Sequence, residues 1–465
     1  MKNKIIYAIG WVLLLIVSGC SDWLSVSPRT EKPTEQLFET QNGFRDALTG
    51  AYIEMMSDKS YGEYLTMSKI EYLVDFWDPE KGSGEEALTL HRYSDAQAVT
   101  MIDALYEQQY KVILAVNAIL EYVDLRQAIF DPGAYEAVKG ECLALRAMCH
   151  LDILRLFGPV PAEATSVPIL PYVETVTKEL HRHVNFDGYK ARLIADLENA
   201  EGLLKQHLEK QSEIEEDYFK YRTIRMNYYA VKALKARVYL WADNKAEAYR
   251  EAKAVTAVQE QWFPWTERRE IMDNTRNPDR IFSSELLFAA YYNAREEIFT
   301  NYFSPTLEPA QVYSPKKHID DLFTWDLLDW RNRPIWLEGT TRDYRCFHKY
   351  EDVSSTEVWT KLIPLIRMTE MYYIIAETAT DETEALDALN TVLFNRGVKE
   401  LEDKTQLAGM LRDEYRREFF GEGQLFFYYK RLNVKVLHSY SENADLDMDA
   451  AKYVVPLPLS ETDFR

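Results

Sequence analysis

Disulfide-forming cysteine is scarce here, with four in 465 residues. That excludes a disulfide-stapled scaffold. Cys142 and Cys149 lie seven apart in a helical stretch, about 10 Å along its axis and beyond disulfide reach. Both occupy apolar positions, so buried free thiols are expected. Positive charge is short as well. Fifty-four Lys and Arg face 75 Asp and Glu, a formal charge of −21. Such a surface repels phosphate backbones and anionic headgroups, which excludes nucleic-acid binding. No glycine-rich phosphate loop and no serine nucleophile elbow occur. Beyond the first twenty residues, no apolar stretch is long enough to span a bilayer.

Those first twenty residues are the most informative part of the chain. Lys2 and Lys4 precede an apolar run over 5–17, interrupted by Gly10, and the stretch closes Val17-Ser18-Gly19-Cys20. This is the layout of a secretory signal, too short for a comfortable span of ~20 residues. Its ending resembles a bacterial lipobox, in which the cysteine is lipidated and becomes the new N-terminus. Residues 1–19 are therefore expected to be removed, and Cys20 to carry acyl chains that hold the protein to a membrane. Loss of Lys2 and Lys4 takes the formal charge to −23.

Most of the remainder reads as helix, one unit over 20–465 without an evident linker. In 135–157, Val138, Cys142, Leu145, Cys149, Ile153 and Leu156 recur every three or four residues, and Gly158-Pro159 stops the run. Ala137, Gly140, Ala144 and Ala147 leave room for a second helix. Further helices are expected over 102–124, 187–208, 228–241, 365–379, 382–395, 405–420 and 424–432. Short consecutive pairs with alanine contacts point to tetratricopeptide-like hairpins, although no clean ~34-residue period is visible. Two segments break the pattern, 57–100 and 262–345. The second holds five of the ten tryptophans, and aromatic-rich irregular stretches read as functional loops.

Ordered motifs along the chain then carry a resemblance. They begin with Cys20-Ser21-Asp22-Trp23-Leu24 and continue through Leu145-Arg146-Ala147, Leu156-Phe157-Gly158-Pro159 and Ala233-Leu234-Lys235-Ala236-Arg237. Ser284-Glu285-Leu286-Leu287-Phe288, Ile363-Pro364-Leu365-Ile366-Arg367, Asn395-Arg396 and Arg416-Arg417-Glu418-Phe419-Phe420-Gly421-Glu422-Gly423 follow, with Val455-Pro456-Leu457-Pro458 at the end. In this order they resemble the SusD/RagB family of Bacteroidota outer-membrane lipoproteins. Gln424 and Tyr429 depart from the family pattern, which often has arginine and aspartate there. The resemblance implies a mainly α, SusD-like fold: four tetratricopeptide-like helix pairs with an irregular ligand-binding face. It implies a SusC-like TonB-dependent transporter as partner, capped by the lipoprotein as a hinged lid. The implied role is capture of an oligosaccharide and its delivery for import. Capture of a peptide, or a pure helical-repeat scaffold without a small ligand, are the rival readings.

Sugar capture needs flat apolar rings beside forked polar groups. The resemblance places such loops at 57–100 and 289–345. Candidates are Trp77, Asp78 and Tyr93 in the first, and Tyr291, Tyr292, Asn293, Tyr302, Tyr313 and Trp336 in the second. Large rings are more often core than platform, so each stands against a packing role. Trp325 and Trp330, alternating with Phe323 and Leu327-Leu328, read as packing. No catalytic residue and no cofactor is expected. Asn443, Asp445, Asp447 and Asp449 alternate like the start of a calcium loop, but Ala450 and Pro456 occupy the glycine and glutamate positions, so a solvated acidic loop is expected. His181 and His183 lack further local ligands and read as loop. Replacing Cys20 by serine should abolish radiolabelled palmitate incorporation and release the chain from the membrane fraction. Unchanged surface retention would overturn the anchor.

Overall fold

The computed structural model describes residues 34–74, 77–207, 222–306, 314–324, 326, 328–338, 344–439 and 444–463. Cys20, Tyr313, Trp325, Leu327 and Asn443 lie outside them. Among the described residues, ten helices of eight residues or more form the frame. They are α1 (Gln41–Met55), α2 (Ala96–Val123), α3 (Ala134–Phe157), α4 (Phe186–Leu204), α5 (Tyr228–Trp241), α6 (Lys245–Thr256), α7 (Met368–Thr378), α8 (Glu382–Phe394), α9 (Leu407–Glu418) and α10 (Leu425–Leu432). From α1 to α8 each helix packs on the next, as in stacked helical hairpins.

Local chemistry sets the helix ends. Thr40, Asp95, Asn185, Asn227, Asn244 and Asp381 each accept an early backbone N–H of the helix that follows. These caps satisfy donors that have no partner inside the helix. Asp95 starts α2 six residues before its apolar stripe becomes evident at Ile102. The carbonyls at the end of α3 are met from far away: the buried Lys430 ammonium donates to Leu156 and Gly158. Helix α3 is buried on almost every side from Ala137 onward. Gly140 is what lets α4 approach, since a Cβ there would lie 2.8 Å from Leu204 Cγ. Cys142, Cys149 and Cys346 are buried and form no disulfide among the described residues.

After α6 the chain leaves the stack and re-enters along a strand into α7. Strand β1 (Leu286–Tyr291) pairs antiparallel with β2 (Leu362–Arg367), Leu286 facing Arg367 and Tyr291 facing Leu362. Residues 365–367, expected at the start of a helix, instead close this ribbon. Their side chains are buried, which is compatible with either element. Residues 444–447, expected as an acidic loop, form a strand against Val436–Ser439. His438 Nδ1 lies 3.0 Å from Asp445, so the acidic alternation follows the strand repeat. His183, expected in a loop, pairs across a short ribbon with Pro171 and meets Glu461 at 2.9 Å.

A buried ion cluster joins the insertion to the helices. Glu418, at the end of α9, accepts from Arg331 at 2.9 Å, from Arg396 at 2.8 Å and from Arg367. Burial alone would raise the Glu418 carboxyl, yet these guanidiniums hold it well below the usual range. Arg331 also binds Asp329 and Glu414, Arg396 binds Glu285, and Arg367 binds Glu422. Arg417 pairs with Glu414 and Lys349 with Glu422. Five cations thus meet five anions in the interior, and a charge left alone there would cost several kcal/mol.

A second buried network holds the segment after α3. Arg146 grips Asp196 through two bonds of 2.6 and 2.7 Å. His150 Nε2 accepts from the Val173 amide at 3.1 Å, while Nδ1 faces the Tyr189 hydroxyl at 2.8 Å. The ring is therefore neutral, and burial pushes its pKa down to about 3. An unfolded histidine titrates near ~6.5. Between those values the unfolded chain binds a proton that the folded chain refuses, so stability falls on acidification. The loss approaches ~1.4 kcal/mol per pH unit below ~6. Burial likewise holds His91 down, to about 4, and it acts in the same direction. Chemical denaturation at pH 7, 6 and 5 should show the decline, with a shallower slope in His150→Gln. Equal slopes in the two proteins would refute this role.

Candidate ligand-binding face

The tryptophans expected to present a platform are in the interior. Trp77 is 0% exposed and Trp336 2%. Their ring centroids lie 5.6 Å apart, and Trp77 also meets Phe347 at 5.4 Å, Phe303 at 5.9 Å and Phe420 at 6.0 Å. Trp77 Nε1 donates to Glu71 at 3.1 Å. Glu71 also accepts the amides of Gly421 and Gly423 at 3.0 and 2.9 Å. Both glycines have φ of +68°, and a Cβ on Gly423 would fall 2.0 Å from the Leu65 carbonyl oxygen. Only glycine fits there. Burial pushes Glu71 up to about 7, with the two glycine amides and the indole drawing it back. Neither indole has a face open to a sugar, so both are removed from the binding site. Their cluster ties the two loop segments to each other and to the Arg416–Gly423 motif.

What reaches the surface is tyrosine. Strand β1 is buried from Leu286 to Ala290, and its last residue, Tyr291, emerges 42% exposed. Tyr292 and Asn293 follow, and the Tyr291 hydroxyl donates to Asn293 Oδ1 at 3.1 Å. These three residues line one side of a groove of about 620 Å³. Tyr52, Ile53, Met55, Met56 and Ser57, from the end of α1 and the turn beyond, also line it, with Ile224 and Arg225. The Arg225 guanidinium lies 5.4 Å from the Tyr52 ring centre, and Arg225 reaches Glu141 at 3.5 Å. The Tyr52 hydroxyl donates to Glu141 at 2.9 Å and accepts the Met226 amide at 2.9 Å, which fixes that ring. The groove joins apolar and aromatic walls with an amide and a guanidinium, a combination suited to a ligand bearing both C–H faces and hydroxyls.

Comparisons with known proteins agree on kinship. A family model described as "Starch-binding associating with outer membrane" matches residues 22–240, and the SusD family model matches 330–456. The chain belongs to the SusD/RagB family. SusD-like protein P2 of Formosa agariphila is 26% identical over 191 residues, 41% of this chain and 36% of that protein. SusD-like protein P25 of the same organism is 23% identical over 35% of this chain. These matches span about a third of the curated relatives' length. A SusD superfamily protein from Bacteroides thetaiotaomicron superposes with a TM-score of 0.75 at 20% identity, covering 91% of this chain and 98% of its own. Surface glycan-binding protein A from the same organism gives 0.70 at 16% identity, covering 92% and 98%. At these identities the structural likeness establishes the fold.

The other candidates of this SusD/RagB chain fall elsewhere. Tyr93 is 8% exposed and donates its hydroxyl to the Lys452 carbonyl at 2.6 Å, so it packs the start of α2 against the C-terminal segment. Asp78 is half-buried in the turn after Trp77 and does not line the groove. Tyr302 is half-buried, its ring 5.6 Å from the Lys69 ammonium. Burial raises both Tyr302 and Tyr292, and the Glu63 charge raises each further. Tyr302 is therefore close to the 58–69 turn without lining the groove. Trp330 is half-buried against Gly397, as packing requires.

Sequence reading missed Tyr52, Ile53 and Arg225. For Ile53 a signal existed, because the buried stripe of α1 runs Phe44, Leu48, Ala51 and Met55, and Ile53 lies off it, 67% exposed. Arg225 carried none. Trp77→Ala should cost ~3–5 kcal/mol of stability through the cavity it opens. Thermal melting and ligand titration of the surviving folded fraction check this, and a variant that is stable but fails to bind would restore Trp77 to the site.

Proposed function

We propose that this protein is a cell-surface glycan-binding lipoprotein of the outer membrane that captures an oligosaccharide in the Tyr291 groove and delivers it to a SusC-like TonB-dependent transporter. The observation that carries the reading is the groove itself. Tyr291 stands 42% exposed at the end of a buried strand, with Tyr292 and Asn293 beside it and Ile53 in the same lining. Family membership supports the same reading. So does a structural neighbour described as a SusD-like carbohydrate binding protein from Bacteroides vulgatus, with a TM-score of 0.70 at 16% identity.

In this reading the tyrosine rings take the C–H faces of a sugar, while Asn293 and Arg225 take hydroxyls. The ligand is bound and handed on without cleavage. Glycoside hydrolysis needs two carboxyls ~5–10 Å apart across the bond, and among the described residues no carboxylate lines the groove. Acylation at Cys20 would keep the binding face near the pore mouth, where high effective concentration lets modest affinity suffice.

Tyr291→Ala should weaken binding of the best ligand from an oligosaccharide array on the order of tenfold, about 1.4 kcal/mol. Because Tyr291 is largely outside the core, the melting temperature should stay nearly constant. Isothermal titration of both proteins measures this. Binding of a peptide library in place of every glycan would establish the peptide-capture alternative, and undiminished glycan binding by the variant would place the site elsewhere.

A further inference from the structure

A second cleft, about 420 Å³ in volume, opens where the chain leaves α6 and where it returns ahead of β2. Trp265 and Trp359, both half-buried, line it. Trp265 is held in place from behind by Tyr372, whose ring centre is 5.3 Å away, and by the Arg396 guanidinium at 5.5 Å. Asp279, also in the lining, is 6% exposed. Its Oδ2 accepts the Ser283 amide and hydroxyl, each at 2.8 Å, while its Oδ1 makes no hydrogen bond of good geometry, the Ile281 amide nearby only helping to draw the carboxyl back. Asn277 Oδ1 is a second buried acceptor without a partner. Two unmatched acceptors beside two indoles cost free energy. A ligand that supplies donors would recover it.

The local charge narrows the ligand. Glu267, Glu270, Asp279 and Glu357 line the cleft against one cation, Arg269. Arg269 is already engaged, 2.8 Å from Glu267 and 3.3 Å from Glu270. The field is negative, which disfavours a uronate or sulfate and tolerates a neutral or ammonium-bearing ring. Burial raises Asp279 to about 6, with Ser283 drawing it back. At neutral pH it therefore remains mostly a carboxylate, a stronger acceptor than its acid. The cleft is continuous with the buried ion cluster, because the Thr266 amide donates to Glu285, the partner of Arg396. Its walls are thus fixed before any ligand arrives.

We infer that this cleft is a second saccharide subsite, distinct from the Tyr291 groove, that takes a neutral or amino sugar between Trp265 and Trp359. The inference rests on the glycan-binding reading of the protein. It deepens that reading by assigning a separate site and a charge preference.

The test is saturation-transfer NMR with glucose, galactose, mannose, xylose, glucosamine and glucuronate, on the full mature chain and four variants. At least one neutral sugar or glucosamine should give a signal that falls fivefold or more in Trp359→Ala and in Asn277→Ala. That signal should persist in Tyr291→Ala and recover in Trp359→Phe, which restores a ring, while glucuronate stays weakest. A signal lost only in Tyr291→Ala overturns the second subsite and leaves the groove reading intact. A signal indifferent to all the variants, or no signal from any sugar, overturns both. Calcium chloride that raises the melting temperature of the wild type but not of Asp279→Asn would make the cleft a cation site and overturn the saccharide assignment.

Discussion

One buried carboxylate organises the loop-rich side of this protein. Glu418 sits at the end of α9 with Arg331, Arg367 and Arg396 around it. Those arginines come from the insertion, from the end of β2 and from the turn after α8. Each has a further acidic partner, so charge is balanced locally rather than across the molecule. This matters because the chain as a whole carries −21. A desolvated charge is tolerable only when its lone pairs and protons are matched at close range, and such matching fixes orientation as well as distance. The helical stack could form from apolar stripes alone. The insertion is sparse in such stripes, and the ion cluster gives it a defined seat.

From that seat the site follows. The Arg416–Gly423 motif turns back through two left-handed glycines whose amides bind Glu71, and Glu71 accepts from Trp77. The indoles thereby join an aromatic core beneath the loops, and β1 and β2, anchored by Arg367, carry Tyr291 out to the surface. Tryptophan and tyrosine have divided the work by burial. An indole needs one acceptor for its N–H and offers a large apolar area, so it stabilises most when enclosed. A phenol at a strand end keeps a ring face exposed while its hydroxyl remains hydrated or bonded to a neighbour such as Asn293.

The same cluster reaches Trp265 through Arg396, which places both clefts on one rigid foundation. A binding protein that must present the same surface to successive ligands gains from walls that need no ordering on arrival, since ordering subtracts from affinity. The motifs that carry the family resemblance are therefore largely supporting ones. Arg367, Arg396, Glu418 and Gly423 hold the loops, and the groove residues come from other positions.

Much of the frame was legible in the residues. The stripe of α3, the small residues that admit α4, the stop at Gly158-Pro159 and the bounds of α5 agree with the structure within a residue. Periodicity and capping are local, and a helix in a stack has no choice but to bury its stripe. The start of α2 was placed late because its first turn carries little of the stripe and is fixed by Asp95. Residues 365–367 were read as helix because a buried strand and a buried helix turn share an apolar pattern. Tyr291, Tyr292 and Asn293, singled out by type and position, do line the groove, and Tyr52, Ile53 and Arg225, which line it too, were not singled out, because they come from other segments. Whether a ring faces solvent or core depends on what lies above it. For Trp77 and Trp336 the covering comes from Phe303, Phe347 and Phe420, scattered over more than a hundred residues. Composition and spacing determined the helical frame; the assignment of each aromatic to foundation or face was decided only by long-range packing, which no local pattern encodes.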